Sequence, residues 1–407
     1  MFTDKKNHIW IFTVLFFTFL PYSFPSSYLS SDLMPWATLV ALIFLLLRPS
    51  AIIFLNMFSY PYLIILIIAF IGILFAPQVY DLEVMRAFFP YLSLFILISF
   101  YSYVFKTEKD LVFSKKIISL LVLFIFVVAF SQMLFDKHLF GSLVGGLRTS
   151  HERGVAGLFK EPSMFAATLI FIVLIADLIY SKRRSNLIFY LSIGVVFLGI
   201  KSVVGYIYFL INIFFRILFK RPMLMFILFI IFVALSFFAF SYDIEYIPGW
   251  RISKILKIIN ENHLVGLLSL DASTHDRFSQ IYFSILGFYE NYGLPHFYLE
   301  WQNYLTNTID KYNWVRNEVV WLSKTDRIFS GYGSALFEMG YFGLLMIFYP
   351  FFILQKKLKT KKALIHFFTL TLLMFSSIPL SFPLYALYLS IVINLKRTDD
   401  IDNNNDS

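Results

Sequence analysis

The stretch KKIISLLVLFIFVVAFSQMLF (Lys115–Phe135) decides the fold class. Two lysines open it, and no residue from Ile117 to Phe135 carries a charge. A helix needs about 20 mostly apolar residues to cross a bilayer, and this run supplies them. The chain then turns polar over Asp136–Glu161 and apolar again at Met164. A lysine pair, an apolar run and a polar loop make the signature of a polytopic membrane helix bundle, and the pattern repeats on both sides.

Composition agrees. The chain is 59% hydrophobic, 20% aromatic and only 14% charged, and its mean hydropathy is +0.75. A water-soluble domain carries roughly a quarter charged residues. This chain cannot cover itself with polar side chains, so lipid must be its solvent. About twelve spans are expected: Ile9–Phe24, Asp32–Leu47, Tyr60–Ala76, Phe88–Phe105, Ile117–Phe135, Met164–Tyr180, Leu187–Ile200, Ser202–Phe219, Met223–Phe240, Tyr332–Leu354, Ala363–Ile378 and Leu380–Leu395. Pro379 and Pro383 crowd the turn between the last two, which could instead form one broken hairpin. The expected layout is spans one to nine in 1–240 with a short outer loop at 136–161, a large outer loop at 241–331, spans ten to twelve in 332–397, and a disordered polar tail at 398–407.

Charge sets the orientation. Of 34 Lys and Arg, 20 sit in short loops and tails of one parity. They include Lys5 and Lys6, Arg48, Lys106 to Lys116, Lys182 to Arg184, Arg216 to Arg221, Lys356 to Lys362, and Lys396 with Arg397. The positive-inside rule places both termini in the cytoplasm and both longer loops outside, which is the periplasm in a Gram-negative cell. The same clustering accounts for the net charge of +9 without nucleic acid. Lys5-Lys6 and the apolar run from Ile9 resemble a signal peptide, but no small-x-small cleavage site follows. The segment is therefore read as an uncleaved first span. There is no cysteine, which excludes disulfides and thiolate metal sites. No internal repeat is evident, and this weighs against an inverted-repeat transporter.

Chemistry concentrates in the two outer loops. The first holds Arg148, His151, Glu152, Arg153, Lys160 and Glu161 beside the next span. Gly154 and Gly157 permit a tight backbone path, and Pro162 suits a helix's first turn, with Glu161 at that helix's positive end. The bland alternative is a solvated loop whose Glu161-Pro162 pair merely starts a helix. The second loop carries His275-Asp276-Arg277. Arg277 is a permanently charged fork suited to phosphate, and His275 titrates near neutrality and could accept a hydroxyl proton. The alternative is mutual neutralisation of Asp276 and Arg277, with His275 capping a helix. Ile252, Ile255, Leu256 and Ile259 form a helical stripe beside Arg251, Lys254 and Lys257, the pattern of a loop anchor in the headgroup region. Among the loop aromatics, Trp301 and Trp314 are the better candidates for stacking on sugars. No metal-ligand cluster, phosphate-binding glycine loop or Gly-x-Ser-x-Gly elbow is present. Asp177 and His366, within spans, read as structural, with Asp177 snorkelling toward Lys182–Arg184.

Three short motifs carry a resemblance. Arg153-Gly-Val-Ala-Gly157-Leu-Phe159-Lys-Glu161-Pro162-Ser163, at the mouth of a middle span, is the first. Asp276-Arg277, followed by aromatics and Tyr292-Gly-Leu-Pro, is the second, and Ser334-Ala-Leu-Phe-Glu338-Met-Gly340-Tyr-Phe-Gly343 is the third. Together with the layout they resemble the bacterial O-antigen polymerase/ligase family. Ligases of that family usually place a histidine before the third motif, where this chain has Phe329-Ser330. The polymerase branch, the Wzy type, is therefore the nearer match.

The resemblance implies an all-α, GT-C-like inner-membrane glycosyltransferase of lipopolysaccharide biosynthesis. It would join oligosaccharide repeat units carried on undecaprenyl pyrophosphate, without metal or other cofactor. Its implied partners are the lipid-linked donor and acceptor, membrane lipid and a chain-length regulator protein. The implied reaction site comprises Arg153, Arg277, Glu161 and His275, with Glu161 the preferred participant and His275 the alternative base. Arg148, Arg327, Trp301, Trp314 and Glu338 would bind substrate. Two other functions remain open: ligase-type transfer to lipid A–core or protein, and a non-enzymatic flippase for lipid-linked oligosaccharide.

Overall fold

The computed structural model describes residues 2–24, 33–49, 59–76, 82–148, 154–220, 223, 272–298, 300–311, 328–376 and 378–395. Among the described residues the chain is all-helical, without strands. In chain order the α-helices are α1 (Phe2–Phe19), α2 (Trp36–Leu47), α3 (Tyr60–Leu74), α4 (Leu82–Val104), α5 (Glu108–Leu134), α6 (Pro162–Ile179), α7 (Lys182–Gly194) and α8 (Val203–Lys220). They continue with α9 (Ala272–Glu290), α10 (Glu300–Lys311), α11 (Gly331–Met339), α12 (Tyr341–Lys357), α13 (Thr360–Phe375) and α14 (Pro383–Asn394). A π-helical turn, Val195–Ile200, extends α7. All but Met223 of the ninth expected span, the stripe from Ile252 to Ile259 and the tail 398–407 lie outside the described residues.

Among the described residues, four helices are long and apolar enough to cross a membrane: α4, α5, α6, and α7 with its π turn. Their length and composition are those of a membrane-embedded protein. On α5, Leu120, Leu123, Phe124, Val127 and Leu134 are exposed. On α3, Ile64, Ile67 and Phe70 are exposed as well. Soluble monomers rarely expose contiguous apolar patches this broad; in lipid they cost nothing. α6 and α14 are the central helices. Residues 165–176 of α6 and 383–393 of α14 are all buried, as expected for helices apolar on every face. α14 packs against α4, α6, α12 and α1.

Contacts at the helix termini sort into two groups. At one end Arg48 Nη1 donates to Asn7 Oδ1, His8 faces Asp110 at 3.8 Å, and Lys357 Nζ donates to the Leu395 carbonyl at 2.7 Å. This is the end where the basic loops gather. Asp177 also sits there, but its partner differs from the expected one. It pairs with Arg216 of α8 and accepts from Ser185 Oγ, rather than snorkelling toward Lys182–Arg184. Burial decides this: a carboxylate between packed helices is held by whichever cation shares its enclosure. His366, fully buried, hydrogen-bonds Tyr388 through Nδ1 at 3.0 Å.

At the opposite end the loops interlock. Phe24 N donates to Leu143 O at 3.0 Å, and Gly331 N to Ile378 O at 2.9 Å. Tyr298, from the expected large outer loop, is fully buried and donates its hydroxyl to Ala69 O of α3 at 2.9 Å. The described part of that loop is thus built into the helix bundle through α9 and α10.

The expected span Tyr332–Leu354 is not one helix. It breaks at Gly340 (φ 56°, ψ −132°) into α11 and α12. A side chain there would meet Gly293 O at 2.3 Å, and Tyr341 N donates to that same carbonyl at 2.8 Å. The glycine of the third motif is therefore a close-approach point, where the 292–295 turn crosses the helix. Hydropathy continues through it, so the break left no trace in the apolar pattern.

Candidate functional site

The first of the two expected outer loops is held by its backbone. Gly154 N and Val155 N donate to Ile200 O and Gly199 O at 3.2 and 3.0 Å. A Cβ on Gly154 would lie 1.8 Å from Gly199 O, so only glycine allows this pairing. Gly157, at φ +59°, is gripped on both sides by the Gln132 amide, donating to Oε1 at 2.8 Å and accepting from Nε2 at 2.9 Å. Arg148 N donates to Lys160 O at 2.7 Å and closes the loop. The loop then delivers Glu161 as the N-cap of α6, with Pro162 at the first helical position.

Arg277, near the N-terminal end of α9, comes to the same place. Its Nη2 donates to Ser163 Oγ at 2.8 Å and lies 3.5 Å from Glu161 Oε2. The guanidinium is 12% exposed. Arg148, 57% exposed, approaches the other oxygen, Glu161 Oε1, at 3.7 Å. Ser163 Oγ also lies 3.4 Å from Glu161 Oε2. Two cations thus share one carboxylate, which leaves a net positive corner at the positive end of α6. The Nε and Nη1 groups of Arg277 meet no acceptor among the described residues. A guanidinium with unspent donors in a partly enclosed corner suits an anion with several oxygens.

The structure brings together three of the expected residues, Arg277, Glu161 and Arg148, and adds Ser163. The sequence contained Ser163 inside the first motif, but nothing local gave it a partner. Glu161 is engaged by both arginines and the serine, which fits a group that orients Arg277 better than a free proton acceptor. His275 falls on α9, so 275 and 277 do not share the extended segment that would put them on one face; the His275 side chain lies outside the described part. Arg153, Arg327 and Trp314 also lie outside the described residues.

Glu338 and Trp301 occupy a second locus. Tyr91 of α4 donates to Glu338 Oε2 at 2.7 Å. Beside this pair is a cavity of about 60 Å³, lined by Arg86, Phe297, Trp301, Ser334, Phe337 and Glu338 among others. Trp301 is not an open stacking platform. It is 4% exposed and packs edge-to-face on Phe337 at 5.1 Å and against Tyr304 at 6.4 Å. The two loci adjoin. One turn along α9 from Arg277, Gln280 Oε1 accepts from Phe329 N at 2.6 Å, next to Ile328 in the cavity wall. Arg86 and Tyr91 escaped the sequence reading because they sit at and inside the start of an apolar run, where nothing distinguishes a lining residue from a packing one.

No protein-family model matches this chain, and no curated protein matches it at a significant level. The family resemblance therefore rests on the three short motifs and the layout, with the geometry above beside it.

Proposed function

We propose that the chain is a glycosyltransferase that joins oligosaccharide repeat units carried on undecaprenyl pyrophosphate, at the outer face of a bacterial inner membrane. One observation carries the reading. Arg277 reaches Ser163 and Glu161 across 114 and 116 residues of sequence, so two of the family-like motifs form one cationic corner at the end of an apolar bundle. The orientation follows from the basic loops gathered at the opposite end, with both termini cytoplasmic. About twelve spans and a GT-C-like arrangement belong to the same reading.

The chemistry suits the corner. A sugar hydroxyl attacks the anomeric carbon of the donor, and the bond from that carbon to the pyrophosphate oxygen breaks. The electron pair leaves on the pyrophosphate, where Arg277 and Arg148 stabilise the developing charge. Glu161 and Ser163 hold the Arg277 fork in place. The hydroxyl proton passes to a nearby base or to water. Incubating the purified full chain with lipid-linked repeat units tests the reading. A ladder of products supports polymerisation. A single transfer to lipid A–core replaces it with ligation, and the absence of any covalent product replaces it with transport.

A further inference from the structure

At the end of the bundle that carries the arginine corner, Lys201 belongs to none of the three motifs. It is exposed, and its side chain has no partner among the described residues. It stands between the π-helical turn Val195–Ile200 and α8, with its backbone at φ 50° and its N–H donated to Val196 O at 3.3 Å. A side chain strains that left-handed conformation, whereas glycine adopts it freely. Lysine therefore fills the position against the preference of the backbone.

Helix register fixes the height of Lys201. α6 and α8 pack side by side. Asp177 of α6 pairs with Arg216 of α8, 39 residues further on. Ala166 meets Gly205 at the same offset, and a Cβ on that glycine would lie 2.7 Å from the alanine's. The two helices thus run parallel and in step, since each rises about 1.5 Å per residue. The same offset sets Lys201 level with Pro162, between Glu161 and Ser163. Both of these neighbours engage Arg277, and the Arg277 charge is also felt at Tyr208 of α8. The loop that delivers Glu161 is tied to the same place, because Gly154 N donates to Ile200 O at 3.2 Å.

We propose that Lys201 is a further binding residue of the corner, holding the phosphate next to the one that Arg277 holds, so that the site takes a pyrophosphate in preference to a single phosphate. The two cations divide the work. Arg277 is fixed by Ser163 and Glu161 and offers a planar fork, while Lys201 offers a point charge on a flexible stem that can follow an anion's second phosphate. Resting on the glycosyltransferase reading, that anion is the pyrophosphate of the lipid-linked donor. A phospholipid headgroup presents the same phosphate chemistry, and the experiment separates the two sources.

The test measures binding apart from transfer. The purified full chain in neutral detergent is titrated by calorimetry with inorganic pyrophosphate and, separately, with inorganic phosphate. The parent should bind pyrophosphate the more tightly. Lys201→Gly should weaken pyrophosphate binding about tenfold, the loss of one charge-assisted contact, and should narrow the advantage over phosphate. Lys201→Arg, which keeps the charge, should stay within about threefold of the parent. The melting temperature of Lys201→Gly should match or exceed the parent's, because glycine relieves the backbone; Lys201→Gln repeats the binding test should the glycine variant lose stability. The proposal is overturned if the parent shows no preference for pyrophosphate, or if Lys201→Gly and Lys201→Gln bind it as the parent does. It is also overturned if their only deficit is in phosphatidylglycerol retained from mixed phosphatidylglycerol and phosphatidylcholine nanodiscs, which assigns Lys201 to a lipid headgroup. The two readings can fail separately. A product ladder with parental binding in the variants removes Lys201 alone, and weakened binding in the variants without any transfer product from the parent removes the glycosyltransferase reading alone.

Discussion

Arg277→Ala is the sharpest perturbation of the cationic corner. The guanidinium is 12% exposed and held 2.8 Å from Ser163 Oγ. A unit charge about 4 Å from a phosphate oxygen, at an effective dielectric near 20, interacts by about 4 kcal/mol. The remaining cation, Arg148, is 57% exposed and screened by solvent, so it compensates poorly. Loss of one preorganised group stabilising transition-state charge costs roughly 2.7–4 kcal/mol, a factor of about 10² to 10³ in rate. Arg277→Ala should therefore reduce polymer formation from purified lipid-linked units by about that factor, measured per molecule of folded protein recovered. Arg277→Lys keeps the charge but not the planar fork, and should remain about tenfold below the parent. Two results would refute the reasoning. An alanine variant within about threefold of the parent removes Arg277 from the chemistry. Full rescue by lysine shows that a point charge suffices and that the fork geometry is irrelevant.

Reporter fusions at Lys109, Arg184, Lys220 and Lys359 should read cytoplasmic, and fusions at His151 and Asn307 periplasmic; a cytoplasmic signal at Asn307 would invert the orientation and discard the site with it. Asp177→Ala strands Arg216, whose side chain is 14% exposed, and should destabilise the folded chain by about 3–5 kcal/mol. Adding Arg216→Met should recover much of that loss in a thermal melt, and an unchanged midpoint for the single variant would show that the pair carries no weight. Polymerisation should continue in EDTA, since the sequence offers no metal-ligand cluster; activity lost and then restored by Mg²⁺ or Mn²⁺ would point to a carboxylate site around Glu161 and Asp276.

Several features were readable before any coordinate. Lys115–Phe135 declared a membrane helix, and the basic loops declared which helix ends lie together, because hydropathy and charge are properties of short segments. One loop glycine could be read too: Gly157 sits at φ +59°, a backbone that other residues resist, whereas Gly154 is required by the approach of Gly199 O, 1.8 Å from a would-be side chain. The same local logic missed Gly340. The apolar run continues across it, and the cause of the break, Gly293 O at 2.3 Å from a would-be side chain, comes from another part of the chain.

Partnership was the part that only folding decided. Asp177 stands five residues from Lys182 in sequence, yet it pairs with Arg216, 39 residues away. Arg277 and Ser163 are 114 residues apart and lie 2.8 Å from one another. Tyr91 and Glu338 are 247 apart and share a hydrogen bond of 2.7 Å. Trp301 promised an aromatic face and instead is buried, because Phe337 and Tyr304 pack against its ring. In a helix bundle, contacts between elements are set by which faces pack and how far each helix advances before it turns. A linear pattern records neither, so the residue types of the site were legible in the chain while their company was not.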